Sequence, residues 1–154
     1  MEYTIIKASA KEDAIKANVF LTKLIHDEKN YDKNINENCT INSFYEKIYK
    51  YDNNCLLLLK TKEKYIGYLY GYIINNNAYL KTVAQLDAIF IEKPYRGNGL
   101  SKKLINEFKK WSKEKHACFI ELKVCNKNNV AMELYKNMDF KETKTIMTCS
   151  LEDE

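Results

Sequence analysis

Proline and arginine each occur once in this chain of 154 residues, and glycine only four times. Positive charge is carried almost entirely by lysine, interspersed with Asp and Glu, and there is no basic stripe of the kind that nucleic-acid binders show. Only two histidines are present, His26 and His116, far apart and without ligand-like neighbours, so no metal site is expected. The five cysteines include no CxxC pair and are odd in number, which argues against a disulfide framework and for reduced thiols in a cytoplasmic protein. No apolar run approaches the ~20 residues that a membrane-spanning helix needs. The opening Met1-Glu2-Tyr3-Thr4 does not read as a signal peptide.

What is present is a globular composition, 45% hydrophobic and 12% aromatic, with a mild net charge of +4. Residues 1–154 are one domain's worth of chain, large enough to bury a core. The small positive excess suits a polyanionic partner molecule.

Along the chain, Tyr3–Lys7 reads as a strand. Ser9-Ala10-Lys11-Glu12 reads as a capping box that opens a helix to about His26, with Ala14, Ala17, Val19, Leu21, Leu24 and Ile25 as its apolar positions. Asp27–Cys39 is polar and Asn-rich, hence a loop. Thr40 or Asn42 caps a second helix carrying Phe44, Tyr45, Ile48 and Tyr49. Strands follow at Cys55–Lys60, Tyr65–Ile74 and about Thr82–Ile91, divided by the turn signals Thr61–Lys64 and Asn75-Asn76-Asn77. In the middle strand Tyr68, Tyr70 and Tyr72 share a face opposite Leu69 and Ile73, and Gly67 and Gly71 mark a bulge or a close backbone approach. A helix with Leu100, Leu104, Ile105, Phe108 and Trp111 on one side comes next, then a strand at Ala117–Val124 and a short helix through Val130–Met138. Phe140–Thr143 and Ile146–Leu151 read as a closing strand pair. The order β-α-α-β-β-β-α-β-α-β-β implies an α/β fold: one mixed, mostly antiparallel sheet with helices on both faces.

The only proline, the only arginine and two of the four glycines fall in six residues, Pro94-Tyr95-Arg96-Gly97-Asn98-Gly99. They lie between an apolar strand, Leu86–Ile91, and the amphipathic helix. A strand, a Gly-rich turn and a helix start direct backbone N–H groups and the positive helix end at one spot, where a phosphate is the natural guest. The nucleotide P-loop needs GxxxxGK followed by Ser or Thr, which is absent. The dinucleotide fingerprint needs a third glycine, which is also absent. The pattern R/Q-x-x-G-x-G/A fits Arg96-Gly97-Asn98-Gly99-Leu100-Ser101 except at its last position.

On that loop the chain resembles the GNAT superfamily of acyl-CoA-dependent N-acetyltransferases. Val124, Asn128, Ala131, Tyr135 and Phe140 follow with the spacing of the family's V, N-x-x-A, helical Tyr and G-F features. The element order agrees over essentially the whole chain. Ser101 stands where the family has Gly or Ala, and Asp139 where it has Gly. Both departures are mild, because Ser is small and Asp tolerates left-handed backbone.

The resemblance implies acetyl-CoA as co-substrate. Its pyrophosphate would sit on the backbone of Arg96, Gly97, Asn98, Gly99, Leu100 and Ser101, with Lys102 and Lys103 either adding charge or simply solvated. Arg96 itself serves that site or forms a surface ion pair. The pantetheine arm would run beside Ile89, Phe90 and Ile91, where a backbone N–H also polarises the thioester carbonyl, and Asn128 would contact the arm, cap a helix, or do both. The reaction implied is direct attack of a neutral amine on the thioester. Free alkylamines titrate near ~10.4, so a base or a water chain is needed.

Tyr135 matches the family's general acid, or is a core tyrosine. Asp87, a carboxylate in an apolar strand, is the first base candidate, or else a structural ion-paired Asp; Glu121 is the second. Lys123 occupies the position of a Glu found in the branch that acetylates ribosomal protein N-termini, which argues against that branch. Glu28 and Tyr31, with Asp27 and Asp32 nearby, suit a cationic amine, or form a solvated loop. The acceptor expected is a small-molecule amine such as a polyamine, an aminoglycoside-like compound or an amino-acid derivative. Protein N-termini or lysines are the alternative, and a non-catalytic acyl-CoA-binding sensor is the alternative of another class. The resemblance also implies a homodimer paired through the last strands.

Overall fold

The computed structural model describes residues 1–153 and is built on five strands in sequential spatial order. They are β1 (Thr4–Lys7), β2 (Asn54–Lys60), β3 (Tyr65–Ile74), β4 (Val83–Ile91) and β5 (Phe119–Leu122). The first four pair antiparallel, and β5 alone runs parallel to its neighbour β4. A parallel neighbour requires a crossover, and α2 (Leu100–Glu114) supplies it. The other helices are α1 (Lys11–Glu28) and α3 (Asn129–Asn137). Among the described residues, no helix is long and apolar enough to cross a membrane.

The sheet separates two cores. On one face α1 lays Ala14, Ala17 and Phe20 over Leu56, Tyr68 and Phe90. On the other, α2 buries all five residues of its expected stripe, Leu100, Leu104, Ile105, Phe108 and Trp111, against Leu57, Leu69 and Leu86. Gly71 makes that close packing feasible. A Cβ at this position would lie 2.3 Å from the Phe108 ring and 2.6 Å from the Gln85 carbonyl.

Four expectations need correction. The N-cap of α1 is Ala10, and Asp13, rather than Glu12, reaches back to accept from the backbone N–H groups of Ser9 (3.1 Å) and Ala10 (3.2 Å). Val19 points outward at 41% exposure, and Phe20 takes the buried position. The second helix is only a 3-10 turn at Tyr45–Lys47. Side chains intercept its backbone donors: Phe44 N–H donates to Glu46 and Tyr45 N–H to the buried Asn18. Asn42, Ser43 and the aromatic residues around them are also weak helix formers. Finally, Phe140–Thr143 and Ile146–Leu151 are not paired as strands, and β5 is shorter than expected. Strand propensity alone does not make a strand; a neighbouring strand does.

Candidate active site

The parallel pairing of β4 with β5 stops at Leu86 and Leu122. Beyond that point β4 continues for five more residues, while the chain after β5 turns off towards α3. The edge of β4 from Asp87 to Ile91 is therefore left without a strand on that side. A bulge sits at the same place. Tyr70 pairs with Ala88 and Gly71 with Leu86, so Asp87 is the extra residue in the ladder. The insertion switches the strand's faces. Ala84 and Leu86 face the α2 core, whereas Ala88 and Phe90 face the α1 core. It also leaves Asp87 exposed, outside both cores.

At the far end of β4 a 3-10 turn at Lys93–Tyr95 leads into the glycine loop. Gly97 and Gly99 have φ of +82° and +74°, a left-handed backbone that favours glycine. Nothing lies within 4 Å of the Cβ that either would carry, so the space above them is open. Gly99 caps α2 without a side-chain hydrogen bond. Among the described residues, the backbone N–H groups from Gly97 to Lys102 meet no protein acceptor. Such a row of free donors at a helix start is a fit for phosphate oxygens. The run of free donors begins at Gly97, because the Arg96 N–H donates to the Lys93 carbonyl. The Arg96 side chain turns away from this run. Its Nε donates to the Ile91 carbonyl (2.7 Å), its Nη2 to Asp27 (2.9 Å), and the guanidinium lies 5.2 Å from the Phe90 ring centre. Together with a Lys23–Glu92 ion pair it fastens α1 to the turn after β4.

At the Leu86 end of the open edge, titratable groups from three elements act on one another electrostatically. Burial lifts the Tyr135 hydroxyl to about 12, and the Glu28 carboxylate adds to the shift. Glu28, though exposed, is raised by partial desolvation, with further contributions from Asp32 and Asp87. Asp87 is raised by partial desolvation as well, and the nearby Lys123 ammonium works against that shift. α1 thus brings Glu28, the bulged strand Asp87, and α3 Tyr135 into one electrostatic neighbourhood. Below Asp87 lies the aromatic face of β3, with Tyr68 and Tyr70 buried in the α1 core and Tyr72 half-buried. Burial lifts Tyr68, Tyr70 and Tyr72, and the charge of Asp87 adds to each.

Glu121 does not join this group; it pairs with Lys144 at 3.1 Å. Asn128 caps α3, accepting from the Ala131 N–H at 3.2 Å, which leaves its amide hydrogens available. Tyr31 is half-buried, and its carbonyl accepts from the Cys125 thiol at 3.2 Å, tying the loop after α1 to the loop before α3.

Sequence reasoning missed the segment 40–44. With Leu21 and Asp87 it lines an open depression of about 520 Å³. Its position is set by Thr22, whose hydroxyl accepts from the Ile41 N–H, and by His26, which bonds the Cys39 carbonyl. The available signal was Asn18, a polar residue on the buried side of α1 that serves Tyr45 and Glu46.

The acetyltransferase (GNAT) family model matches residues 21–140. The chain belongs to this family. It is 31% identical, over 71 residues or 46% of its length, to an uncharacterized N-acetyltransferase of Methanocaldococcus jannaschii. That match spans 31% of the relative, about a third of its length. Among solved structures, a mutant protein from Bacillus halodurans superposes with a TM-score of 0.83 at 14% identity, over 97% of this chain and 99% of that one. An aminoglycoside acetyltransferase from an uncultured soil metagenomic sample, in complex with trehalose, gives a TM-score of 0.73 at 18% identity, over 97% of each chain. At these identities the likeness is one of fold.

Proposed function

We propose that this member of the GNAT family transfers an acetyl group from acetyl-CoA to a primary amine of a small cationic molecule. One arrangement carries the reading. The open edge of β4 leads into the unpaired backbone donors after Ile91, and at its start Asp87 shares one electrostatic neighbourhood with Glu28, which in turn acts on Tyr135. The family relationship and the aminoglycoside acetyltransferase fold support it from outside the chain.

Acetyl-CoA, when bound, supplies an activated acyl thioester. The residues that would hold it are Gly97–Lys102, through their free N–H groups, and Ile89–Ile91, through the open edge of β4. The Asn128 amide is available to the same molecule. For the acceptor, the carboxylates of Glu28 and Asp87 favour a cation over a neutral or anionic compound. Desolvation keeps the carboxylates of Asp87 and Glu28 more basic than usual, which suits them to accept a proton from an ammonium group directly or through water. Tyr135 holds its own proton at Oη throughout the neutral range, the state a general acid requires.

The test is acetyl-CoA-dependent thiol release by purified protein across polyamines, aminoglycosides, amino acids and short peptides. Turnover on a small amine is the expected result. Turnover on peptides alone would overturn the small-molecule reading. Acetyl-CoA binding with no turnover on any of them would favour a sensor.

A further inference from the structure

The depression beside Asp87 has a chemical character of its own. Leu21, Ile41 and Phe44 line it together with three neutral polar residues, and Asp87 is the one charged residue among those described at its surface. The Phe44 side chain is 40% exposed, although its ring meets those of Tyr45 (4.9 Å between centres) and Tyr70 (6.4 Å) edge-on. The backbone that carries it is held in place. Ile41 N–H donates to the Thr22 hydroxyl (2.9 Å) and Phe44 N–H to Glu46 (2.7 Å), whose carboxylate also accepts from the buried Asn18 (2.9 Å). Apolar side chains fixed in advance, with one side open, are what a preformed pocket offers a ligand.

Charge decides which ligand. Glu46 is taken by the donors just named, and neither it nor Glu28 lines the depression. The Lys123 ammonium acts on Asp87 as well. One carboxylate with a cation nearby balances a single ammonium group. A compound carrying several would leave the others against apolar or neutral surface, which is costly.

Resting on the acetyltransfer reading above, we infer that the depression takes as acceptor a monoamine with an apolar body, its ammonium group at Asp87 and its alkyl or aryl part against Leu21, Ile41 and Phe44. Polyamines and aminoglycosides, which carry several ammonium groups, fit this surface less well. A depression of about 520 Å³ has room for such a body.

Initial rates at saturating acetyl-CoA compare n-butylamine, n-hexylamine and 2-phenylethylamine with spermidine and kanamycin. The value of kcat/KM is expected to rise from butylamine to hexylamine, by up to ~4-fold per added methylene. It should exceed the values for spermidine and kanamycin by ~10-fold or more. Calorimetric titration with hexylamine in the absence of acetyl-CoA reads the site without turnover. Phe44→Ser, shown by circular dichroism to be folded, is expected to weaken that binding by ~10-fold. A flat dependence on chain length would overturn the inference. A higher kcat/KM for spermidine or kanamycin than for every monoamine would overturn it too, and leave the acetyltransfer reading standing. So would hexylamine binding that Phe44→Ser does not weaken. Phe44-dependent binding of hexylamine with no turnover of any amine would overturn the acetyltransfer reading and keep the monoamine site.

Discussion

The Arg96 guanidinium donates to the Asp27 carboxylate at 2.9 Å, joining the glycine loop to the last turn of α1. The residue that introduces the proposed phosphate cradle thus also holds the helix that carries Glu28. Both side chains are about two-fifths exposed, so the pair contributes at most ~1 kcal/mol to stability. Arg96→Ala is therefore expected to shift the melting temperature only slightly, while raising KM for both acetyl-CoA and the amine. Asp27→Asn should raise KM for the amine with little change for acetyl-CoA. An amine KM unmoved in both variants would count against this coupling.

Tyr135→Phe removes the Oη proton and leaves the ring, with its edge-on contact to Phe140 at 5.7 Å, in place. A fall in kcat of ~10²-fold or more is expected, the usual contribution of a positioned acid. Acetyl-CoA affinity, measured by calorimetry, should be nearly kept. Undiminished kcat would remove Tyr135 from the chemistry.

Asp87→Asn is expected to cut turnover and yet leave the protein as stable or more so at neutral pH. Asp87 and Glu28 both bind their protons more tightly folded than unfolded. The folded state therefore loses stability as pH rises from the ordinary carboxylate values, 3.8 for Asp and 4.5 for Glu, through the raised ones. Removing the Asp87 charge relieves that cost. Thermal melts across this range should show a shallower decline for the variant than for the unaltered protein. A variant less stable at neutral pH than the parent would show that the carboxylate is structurally paired instead.

Asp13 has the opposite sign. Burial pushes its carboxyl up, but hydrogen bonds from Tyr65, Ser9 and Ala10 and the charge of Lys60 outweigh it, and the net pKa is lowered. Its contribution is present above the usual Asp value of 3.8 and fades as pH falls through the lowered one. Asp13→Ala should cost ~1–2 kcal/mol at neutral pH in denaturant titration, and the difference from the parent should shrink in acid.

Gly71→Ala tests the packing under the bulge. The added methyl meets the Phe108 ring and the fixed Gln85 carbonyl. A loss of ~1–3 kcal/mol is expected. A neutral result would mean that α2 moves aside without cost.

Much of this was legible in the sequence because it depended on local spacing. The five-residue stripe of α2, the tyrosine face of β3 and the glycine turn each follow from a period or a backbone requirement within a few residues. What was not legible depended on distant partners. Asn18 and Glu46 convert an amphipathic stretch into one 3-10 turn by taking its donors. The strand-like residues 146–151 have the composition of a strand, but no strand of the same chain pairs with them. Arg96 looked like a phosphate ligand because its loop has the form of a phosphate cradle; only the fold brings Asp27 within reach of it. The pocket wall at residues 40–44 carries no motif at all. Asp87 was singled out for its charge, while the reason it lies outside both cores, one extra residue in a ladder, was visible only as a break in the alternation of Leu86, Ala88 and Phe90.

That extra residue makes position 87 tolerant of one kind of change and intolerant of another. Position 87 is exposed, so the side chain there can change by point substitution without disturbing either core. Loss of the codon is different. It would restore a regular ladder and force either Val83–Leu86 or Ala88–Ile91 to trade faces, exposing residues that now fill a core. Lineages descended from this chain are thus free to respecify the residue at 87 but are bound to keep the position.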